Sequence, residues 1–285
     1  MSRLLELLEL QQGTDSDVWV GPASGPDGKR AFGGQFVAQS LAAACRTVDG
    51  DRLPKAAEEI AEETGADVLP VLADVSKETD VENLFKQAID RFGTLDILVN
   101  NAQMPVRLGE RGPFLKMTSE GWQRYMEANL GMLFFCSHRA AKIMAKKRKG
   151  AIINISTNGA VRPHRNSVAY DSMKGAVDSF TRAAAIDLAP WGVRVNSIQP
   201  GLINNRGTQG RTAEEEARRV SVVPIGRAGL PADIAWAAVY LAADDASFIT
   251  GISILVDGGM ITQGRAPAVE LGGVPSPETV SDDEF

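Results

Sequence analysis

The chain contains few cysteines and no apolar run long enough for a membrane span. Its only cysteines among 285 residues, Cys45 and Cys136, lie far apart without a second ligand at metal spacing. A disulfide framework or zinc site is therefore not indicated, and a reducing, cytoplasmic setting is expected. The opening MSRLLELLEL carries glutamates inside its apolar stretch. It is atypical of a signal peptide and too short to cross a bilayer, so no membrane partner is expected.

The chain also lacks a concentration of positive charge. Thirty basic and 36 acidic residues give a net charge of −6 with the signs mixed along the sequence. Nucleic-acid binding proteins usually carry a basic stripe, so no nucleic-acid partner is expected. A hydrophobic content of 44% is ample for the core of one large α/β domain or two small ones.

Helix-like and strand-like segments alternate from Lys55 onward. The predicted strands are 67–72, 96–99, 151–155, 194–199 and 253–256. The predicted helices are 55–64, 79–92, a long one from a cap at Thr118 to a stop at Gly150, 168–188 and 232–243. This order predicts an α/β fold with a Rossmann-like, doubly wound parallel sheet. The tail 264–285, which ends in SDDEF, is predicted to be flexible.

Tyr170 and Lys174 stand four residues apart at the start of a predicted helix, so they share one face. A cation beside a phenol favours the phenolate and lowers its pKa from about 10 toward neutrality. Such a phenol can exchange a proton with an alcohol or a carbonyl. The same spacing also occurs on solvated helix faces without any catalytic role.

Several polar residues follow predicted strands, at the edge where open α/β sheets bind ligands. Thr157 directly follows the strand AIINIS, thirteen residues before Tyr170, and Asp74 and Asn100 follow two other strands. Asn129 lies in the middle of the long helix, where an amide usually points to solvent.

These features resemble the short-chain dehydrogenase/reductase family over residues 55 to 262. The matching stretches are ADV at 73–75, DILVNNAQ at 96–103, EANLGMLF at 127–134, IINIST at 152–157, YDSMK at 170–174, RVNSIQPG at 194–201, RAGLPADIA at 227–235 and SFITGISILVDGG at 247–259. The resemblance implies hydride transfer between NAD or NADP and a small-molecule carbonyl or alcohol.

The resemblance also implies a role for each matched residue. Tyr170 is the implied acid/base, and Lys174 lowers its pKa and holds the nicotinamide ribose. Thr157 binds the substrate oxygen, and Asn129 holds a water in the proton relay. The implied cofactor-binding residues are Asp74, Asn100, Ala102, Tyr170, Lys174, Pro200, Gly201 and Ile203. Homodimers or homotetramers built from the helices at 118–148 and 168–188 and the last strand are implied as well.

Three positions depart from the family pattern. Thr157 replaces the usual serine, which keeps the hydroxyl but restricts its rotamer. Gln103 replaces a glycine, which adds a side chain where backbone and cofactor come close. Asn205 replaces a threonine that often helps to hold the cofactor.

Residues 1–54 lack the strand, glycine-rich turn and helix that receive the pyrophosphate in this family. In VWVGPASG at 18–25 two glycines have the right separation, but Asp27 stands where the third should be. Residues 3–54 instead resemble the start of type II acyl-CoA thioesterases, through RAFGGQFVAQSLAAACRTV at 30–48. The division is thus a fragment at 1–54, a dehydrogenase/reductase domain at 55–263 and the tail. As a hypothesis, residues 17–20 and a helix at 34–46 replace the missing strand and helix.

Three functions remain open from the sequence. They are an NAD(P)-dependent oxidoreductase, a catalytically silent scaffold with impaired cofactor binding, and an acyl-CoA-binding or thioesterase module. His164 is predicted to be a solvent-facing loop residue, and the charged segment 211–220 is predicted to be either a lid or a solvated helix.

Overall fold

A computed structural model describes residues 11–12, 19–20, 52–104, 112–204 and 211–264. The strands are β1 (Gln11–Gln12), β2 (Trp19–Val20), β3 (Ile97–Asn100), β4 (Gly150–Ile155), β5 (Val193–Pro200) and β6 (Ser253–Val256). The α-helices are α1 (Arg52–Thr64), α2 (Glu78–Phe92), α3 (Ser119–Lys147), α4 (Val168–Leu188), α5 (Ala213–Val220) and α6 (Pro231–Ala242). All five predicted helices are present, with the helix at 168–188 reproduced at both ends.

The main sheet has the order β3-β4-β5-β6, and all of its neighbouring strands are parallel. Consecutive parallel strands need a crossover, which α3 supplies between β3 and β4, and α4 between β4 and β5. Because strand side chains alternate, Leu98 and Ile152 face a core with Met144 of α3, whereas Ile153 faces a second core with Leu241 of α6. Helices therefore cover both faces, which confirms the predicted Rossmann-like, doubly wound architecture.

The long helix α3 begins as predicted but ends differently. The Thr118 side chain accepts a hydrogen bond from the Gly121 amide and caps the helix. At the other end Arg148 adopts the left-handed conformation, with φ of 55°, so the predicted stop at Gly150 is wrong. Gly150 is the first residue of β4, and a Cβ there would lie 2.4 Å from Met144 Sδ. Close packing of the helix end, rather than capping, therefore requires this glycine.

The predicted strand at 67–72 is not a strand in the structure. Val71 and Ala73 are nonetheless buried in the core while Leu72 is exposed, which is the alternation of an extended chain. A strand also needs a hydrogen-bonded neighbour. Within the described residues the sheet ends at β3, and no strand pairs with this segment.

The N-terminal segment does not add a strand to the main sheet within the described residues. β2 pairs antiparallel with β1, with Gln12 opposite Trp19, in a separate two-stranded sheet. The hypothesis that residues 17–20 replace the missing strand is therefore not supported by the pairing of Trp19–Val20. The helix predicted at 34–46, and the tail after Gly264, lie outside the described residues.

Candidate active site

The first turns of α4 are hydrogen-bonded to the carboxyl end of β4 and the residue that follows it. Lys174 Nζ donates to the carbonyl oxygen of Ile155 at 2.6 Å, and Ser156 Oγ donates to the carbonyl oxygen of Lys174 at 3.2 Å. Tyr170 lies one helical turn before Lys174, in the first turn of α4. The helix that carries the predicted acid/base pair therefore lies against the carboxyl end of the central strand β4.

Lys174 is a buried ammonium. Burial lowers its pKa from 10.5 to about 8, and the negative charge of Asp178, one turn further along α4, opposes this effect. Lys174 is therefore mostly charged at pH 7 and loses its proton in a range where most lysines keep theirs.

Thr157 lies directly after β4 and is buried. Its Oγ1 accepts a hydrogen bond from the Gly159 amide at 3.2 Å, at the start of a short 3₁₀ turn. No contact within the described residues takes the proton of this hydroxyl, whereas the Ser156 hydroxyl is bonded to Lys174. The Thr157 hydroxyl therefore has a donor left for a ligand.

Asn129 is buried at 5% exposure, so the alternative of a surface amide in the middle of α3 is wrong. Its Nδ2 donates to the carbonyl oxygen of Tyr125 at 2.8 Å, and its Oδ1 accepts from the Met104 amide at 2.9 Å. Asn129 therefore holds the segment after β3 against α3. Its second N–H remains available, because an amide nitrogen carries two.

A cavity of about 30 Å³ lies between these elements. Its lining consists of Val75, Asn100, Ala102, Gln103, Asn129, Met132, Leu133, Cys136, Ile155, Met173, Lys174 and Val177. The volume suffices for about two water molecules. Burial raises the pKa of the Cys136 thiol to about 12, so this side chain stays protonated and unreactive.

Gln103, which replaces the glycine of the family pattern, forms part of the cavity wall. Its Nε2 donates to the hydroxyl of Tyr125 at 3.0 Å, and Tyr125 is fully buried between α3 and α4. The extra side chain is therefore anchored by a hydrogen bond and does not extend freely into solvent.

Asn100 and Ala102 both line the cavity, and Asn100 belongs to a buried polar network. Its Nδ2 donates to Ser137 Oγ at 2.9 Å and to Asn154 Oδ1 at 2.8 Å. Asn154 in turn donates to Thr181 Oγ1 at 2.9 Å. The network ties the ends of β3 and β4 to α3 and α4, so it fixes the geometry of this sheet edge.

The predicted contact residue Asp74 is engaged with its own loop. Its Oδ1 accepts from the amide of Ser76 at 3.1 Å and from Ser76 Oγ at 2.7 Å, and Lys77 Nζ is 3.7 Å from Oδ2. The neighbouring Val75 lines the cavity, whereas Asp74 does not.

Pro200, Gly201 and Ile203 lie at the carboxyl end of β5. The Gly201 amide donates to the carbonyl oxygen of Val256 at 3.0 Å, and Ile203 forms a parallel bridge with Gly229. None of the three lines the cavity around Lys174. The structure thus gathers Asn100, Ala102, Asn129 and Lys174 at one cavity. Tyr170 lies on the same helix as Lys174 and Thr157 directly follows β4, whereas Asp74, Pro200, Gly201 and Ile203 do not line the cavity.

We expect Gly201→Ala to destabilise the protein by about 1–3 kcal/mol, the usual cost of an overpacked site. A Cβ at Gly201 would lie 2.4 Å from Asp257 Cβ and 2.7 Å from its Cα, and no rotamer change relieves a clash with these atoms. Urea denaturation measures the effect. Gly175→Ala on α4 is the matched control, because its Cβ meets nothing within 4 Å and alanine favours a helix. Equal stability of the two variants would contradict this account.

Sequence reasoning missed the environment of His164. The side chain of His164 is 44% exposed, as predicted for a solvent-facing loop residue, but it is also hydrogen-bonded to buried Asp171. An acidic residue in the first turn of a helix is ordinarily explained by the helix dipole, so no local signal pairs Asp171 with His164.

Comparison with known proteins decides the family. A family model described as Enoyl-(Acyl carrier protein) reductase matches residues 34–261. The 3beta-hydroxysteroid dehydrogenase 1 of Eggerthella lenta is 38% identical over 202 residues, which are 70% of this chain and 76% of that protein. The chain belongs to the short-chain dehydrogenase/reductase family. The family match begins at residue 34, within the segment predicted to resemble thioesterases, and that second resemblance stays a prediction.

Two solved structures show the same fold as this short-chain dehydrogenase/reductase. The 3-ketoacyl-(acyl-carrier-protein) reductase from Brucella melitensis, complexed with NADH, is 31% identical with a TM-score of 0.66, over 74% of this chain and 84% of that one. The NAD⁺-bound xylitol dehydrogenase is 26% identical with a TM-score of 0.67, over 80% of this chain and 95% of that one.

The residues around the cavity of this short-chain dehydrogenase/reductase fit the ribose end of a nicotinamide dinucleotide. An ammonium has three N–H donors, and Lys174 uses one on Ile155. The buried ammonium and the Asn129 amide face the same space, and ribose hydroxyls are acceptors of the kind that satisfy such donors.

Other kinds of site are not indicated in the part of the chain that the structure describes. It contains no group of three histidine, cysteine or acidic side chains placed to hold a metal ion. None of its helices is both long and apolar enough to cross a membrane.

Proposed function

We propose that this short-chain dehydrogenase/reductase is an NAD(P)-dependent oxidoreductase that acts on a small-molecule carbonyl or alcohol. The observation that carries the proposal is the buried Lys174 ammonium, which lies one helical turn from Tyr170 and donates to the carbonyl oxygen of Ile155, two residues before Thr157. A buried charge is costly to maintain unless something uses it, and strongly shifted lysines cluster at functional sites.

In this proposal Tyr170 gives a proton to the substrate oxygen during reduction and takes it back during oxidation. Lys174 favours the phenolate by its positive charge, and Thr157 donates a hydrogen bond to the same oxygen. Asn129, whose second N–H is not used by Tyr125, holds a water that passes protons between Lys174 and solvent. A bound nicotinamide dinucleotide supplies or accepts the hydride.

The remaining predicted contact residues hold the cofactor. Asn100 at the end of β3 and Ala102 just after it, together with Asp74, would hold its adenosine half. The backbone at Pro200, Gly201 and Ile203 would hold the nicotinamide. The relatives with NADH and NAD⁺ in their structures support a nicotinamide cofactor, and both NAD and NADP stay open for this chain.

The first test combines cofactor binding with turnover. NADH and NADPH are titrated separately while nucleotide fluorescence is followed, and oxidation of the bound nucleotide is then measured with a panel of small ketones. We expect a saturable signal for one of the two nucleotides and ketone-dependent loss of absorbance at 340 nm. Absence of a saturable signal at millimolar nucleotide would contradict the proposal.

A second candidate is a catalytically silent scaffold. It is favoured by the volume of only about 30 Å³ around Lys174 and by the Gln103 side chain that is bonded to Tyr125 at its wall. Gln103→Gly separates the two candidates, because it restores the small residue of the family pattern. If the Gln103 side chain alone blocks cofactor binding, Gln103→Gly binds the nucleotide and wild type does not. If wild type already binds the nucleotide, the scaffold with impaired cofactor binding is excluded.

We also propose that the protein forms homodimers or homotetramers through α3 and α4. Phe134 on α3 and Ile186 on α4 are large apolar side chains that are exposed in the single chain. Exposed apolar side chains on neighbouring helices are typical of an association surface.

A further inference from the structure

His164 and Asp171 form a hydrogen-bonded pair beside Tyr170. The Asp171 carboxylate accepts from the His164 backbone amide at 2.6 Å through Oδ2, and His164 Nδ1 is 2.9 Å from its Oδ1. Asp171 is buried at 7% exposure, while the His164 side chain is 44% exposed. Because a carboxylate oxygen only accepts hydrogen bonds, Nδ1 carries the proton that it shares with Asp171.

The second ring nitrogen of His164 has no partner within the described residues. With Nδ1 protonated, Nε2 of the neutral imidazole is an acceptor, and in the protonated ring it is a donor. Asp171 therefore fixes the orientation of the ring and leaves one polar atom on a partly exposed side chain.

The pair lies beside Tyr170 and packs against the turn that follows Thr157. The His164 and Tyr170 rings are tilted toward each other, with 6.4 Å between their centroids. A Cβ at Gly159, two residues after Thr157, would lie 2.4 Å from both His164 Cε1 and Asp171 Oδ1. Only glycine leaves room for the pair to pack onto the turn after β4, so the pair is built into this part of the site.

We propose that His164, held by Asp171, is a specificity-determining residue that hydrogen-bonds a second oxygen of the substrate, a hydroxyl next to the reacting carbonyl. The proposal rests on the proposed oxidoreductase function and names its substrate class as α-hydroxy carbonyl compounds, or vicinal diols in the oxidative direction. A hydroxyl both donates and accepts, so it satisfies Nε2 in either protonation state. Asp171 is a positioning residue in this arrangement.

The test compares hydroxyacetone with butanone, in which a methyl group replaces the hydroxyl. The matched variants are His164→Asn and His164→Gln. Asparagine places its amide near the Nδ1 position and keeps the contact with Asp171 but lacks a polar atom at Nε2. Glutamine places its amide near the Nε2 position. If His164 served only to hold the loop through Asp171, asparagine would preserve function better than glutamine.

We expect wild type to prefer hydroxyacetone, and His164→Asn to lower the ratio of kcat/KM for hydroxyacetone over butanone by about 5- to 10-fold, the usual effect of one neutral hydrogen bond. The change falls on KM for hydroxyacetone, because the contact lies outside the reacting bond. His164→Gln retains most of the preference. An unchanged ratio in His164→Asn, or a wild type without preference, would overturn the proposal.

A binding measurement separates failure of this proposal from failure of the oxidoreductase function. The chain has two histidines, His138 and His164, so the imidazole proton resonances are assigned with one His138→Gln variant. If wild type reduces neither ketone, the proposed function fails, and titration with hydroxyacetone then decides the role of His164. A saturable shift of the His164 resonance with hydroxyacetone and none with butanone supports it, and equal responses overturn it.

Discussion

Tyr170→Phe is expected to lower kcat for carbonyl reduction by about 10²- to 10⁴-fold, the usual contribution of a general acid. Phenylalanine keeps the ring that packs beside α3 and removes only the oxygen that carries the proton. Binding of the nicotinamide nucleotide should change little, because Lys174 and the residues after β3 are left intact. Steady-state kinetics with a ketone, together with fluorescence titration of the nucleotide, measure both quantities.

The matched control is Tyr240→Phe on α6. Tyr240 is 47% exposed and takes no part in the cavity, so loss of its hydroxyl should leave kcat unchanged. Since the chain has three tyrosines, the two variants separate a general effect of removing a phenol from a specific one. Retained turnover in Tyr170→Phe would refute the assigned role even if the nucleotide binds normally.

The helices and the four paired strands could be predicted because their signals are local. A run of apolar residues at helical spacing and a glycine or a capping hydroxyl at its end lie within a few residues of each other. The cap of α3 at Thr118 is such a signal, and the structure has it. The carboxyl end of the same helix could not be predicted in this way. Arginine rarely adopts the left-handed conformation, so nothing in the local sequence indicates that the helix ends at Arg148.

The local sequence predicts a strand at 67–72, but in the structure burial alternates only at the end of this segment, over Val71, Leu72 and Ala73. A segment becomes a β-strand, however, only when a second segment forms hydrogen bonds with its backbone. Without a neighbouring strand in the described part of the chain, the same side-chain pattern yields an extended segment packed against the core.

The residues of the candidate site could be predicted from the sequence, but the hydrogen bonds between them could not. Resemblance to a family assigns roles to Tyr170, Lys174 and Thr157, but the bond from Gln103 to Tyr125 joins residues 22 positions apart. Asn129 likewise accepts a hydrogen bond from the backbone amide of Met104, 25 positions away. Such long-range contacts decide which polar groups are left over for a ligand.

Lys174→Met should lower kcat by about 10²-fold or more, because Tyr170 then loses the charge that favours its phenolate. Methionine has a similar length and keeps the packing of the buried stem, so lost activity is not a consequence of a cavity. The kcat of wild type should itself fall above pH 8, where the Lys174 ammonium loses its proton. A pH profile of kcat with one falling limb near 8 is the measurement.

The same variant tests the burial of the charge through protein stability. The pKa of Lys174 is about 8 in the folded protein and 10.5 as its ordinary value, so between these pH values the unfolded chain binds the extra proton. Stability of wild type relative to Lys174→Met therefore rises as pH increases from 8 to 10.5 and is lowest below pH 8. At about 1.4 kcal/mol per pKa unit the full rise is about 3 kcal/mol.

Urea denaturation of wild type and Lys174→Met at several pH values measures this difference in stability. The titration of all other groups contributes equally to the two proteins and cancels in the difference. Lys142→Met on the exposed face of α3 is the control and should stay within about 0.5 kcal/mol of wild type. A relative stability of Lys174→Met that does not vary with pH would mean that the ammonium is solvated in the folded protein. A solvated ammonium is screened by water and acts only weakly on a neighbouring phenol, so the same result would remove the physical basis for assigning proton transfer to Tyr170.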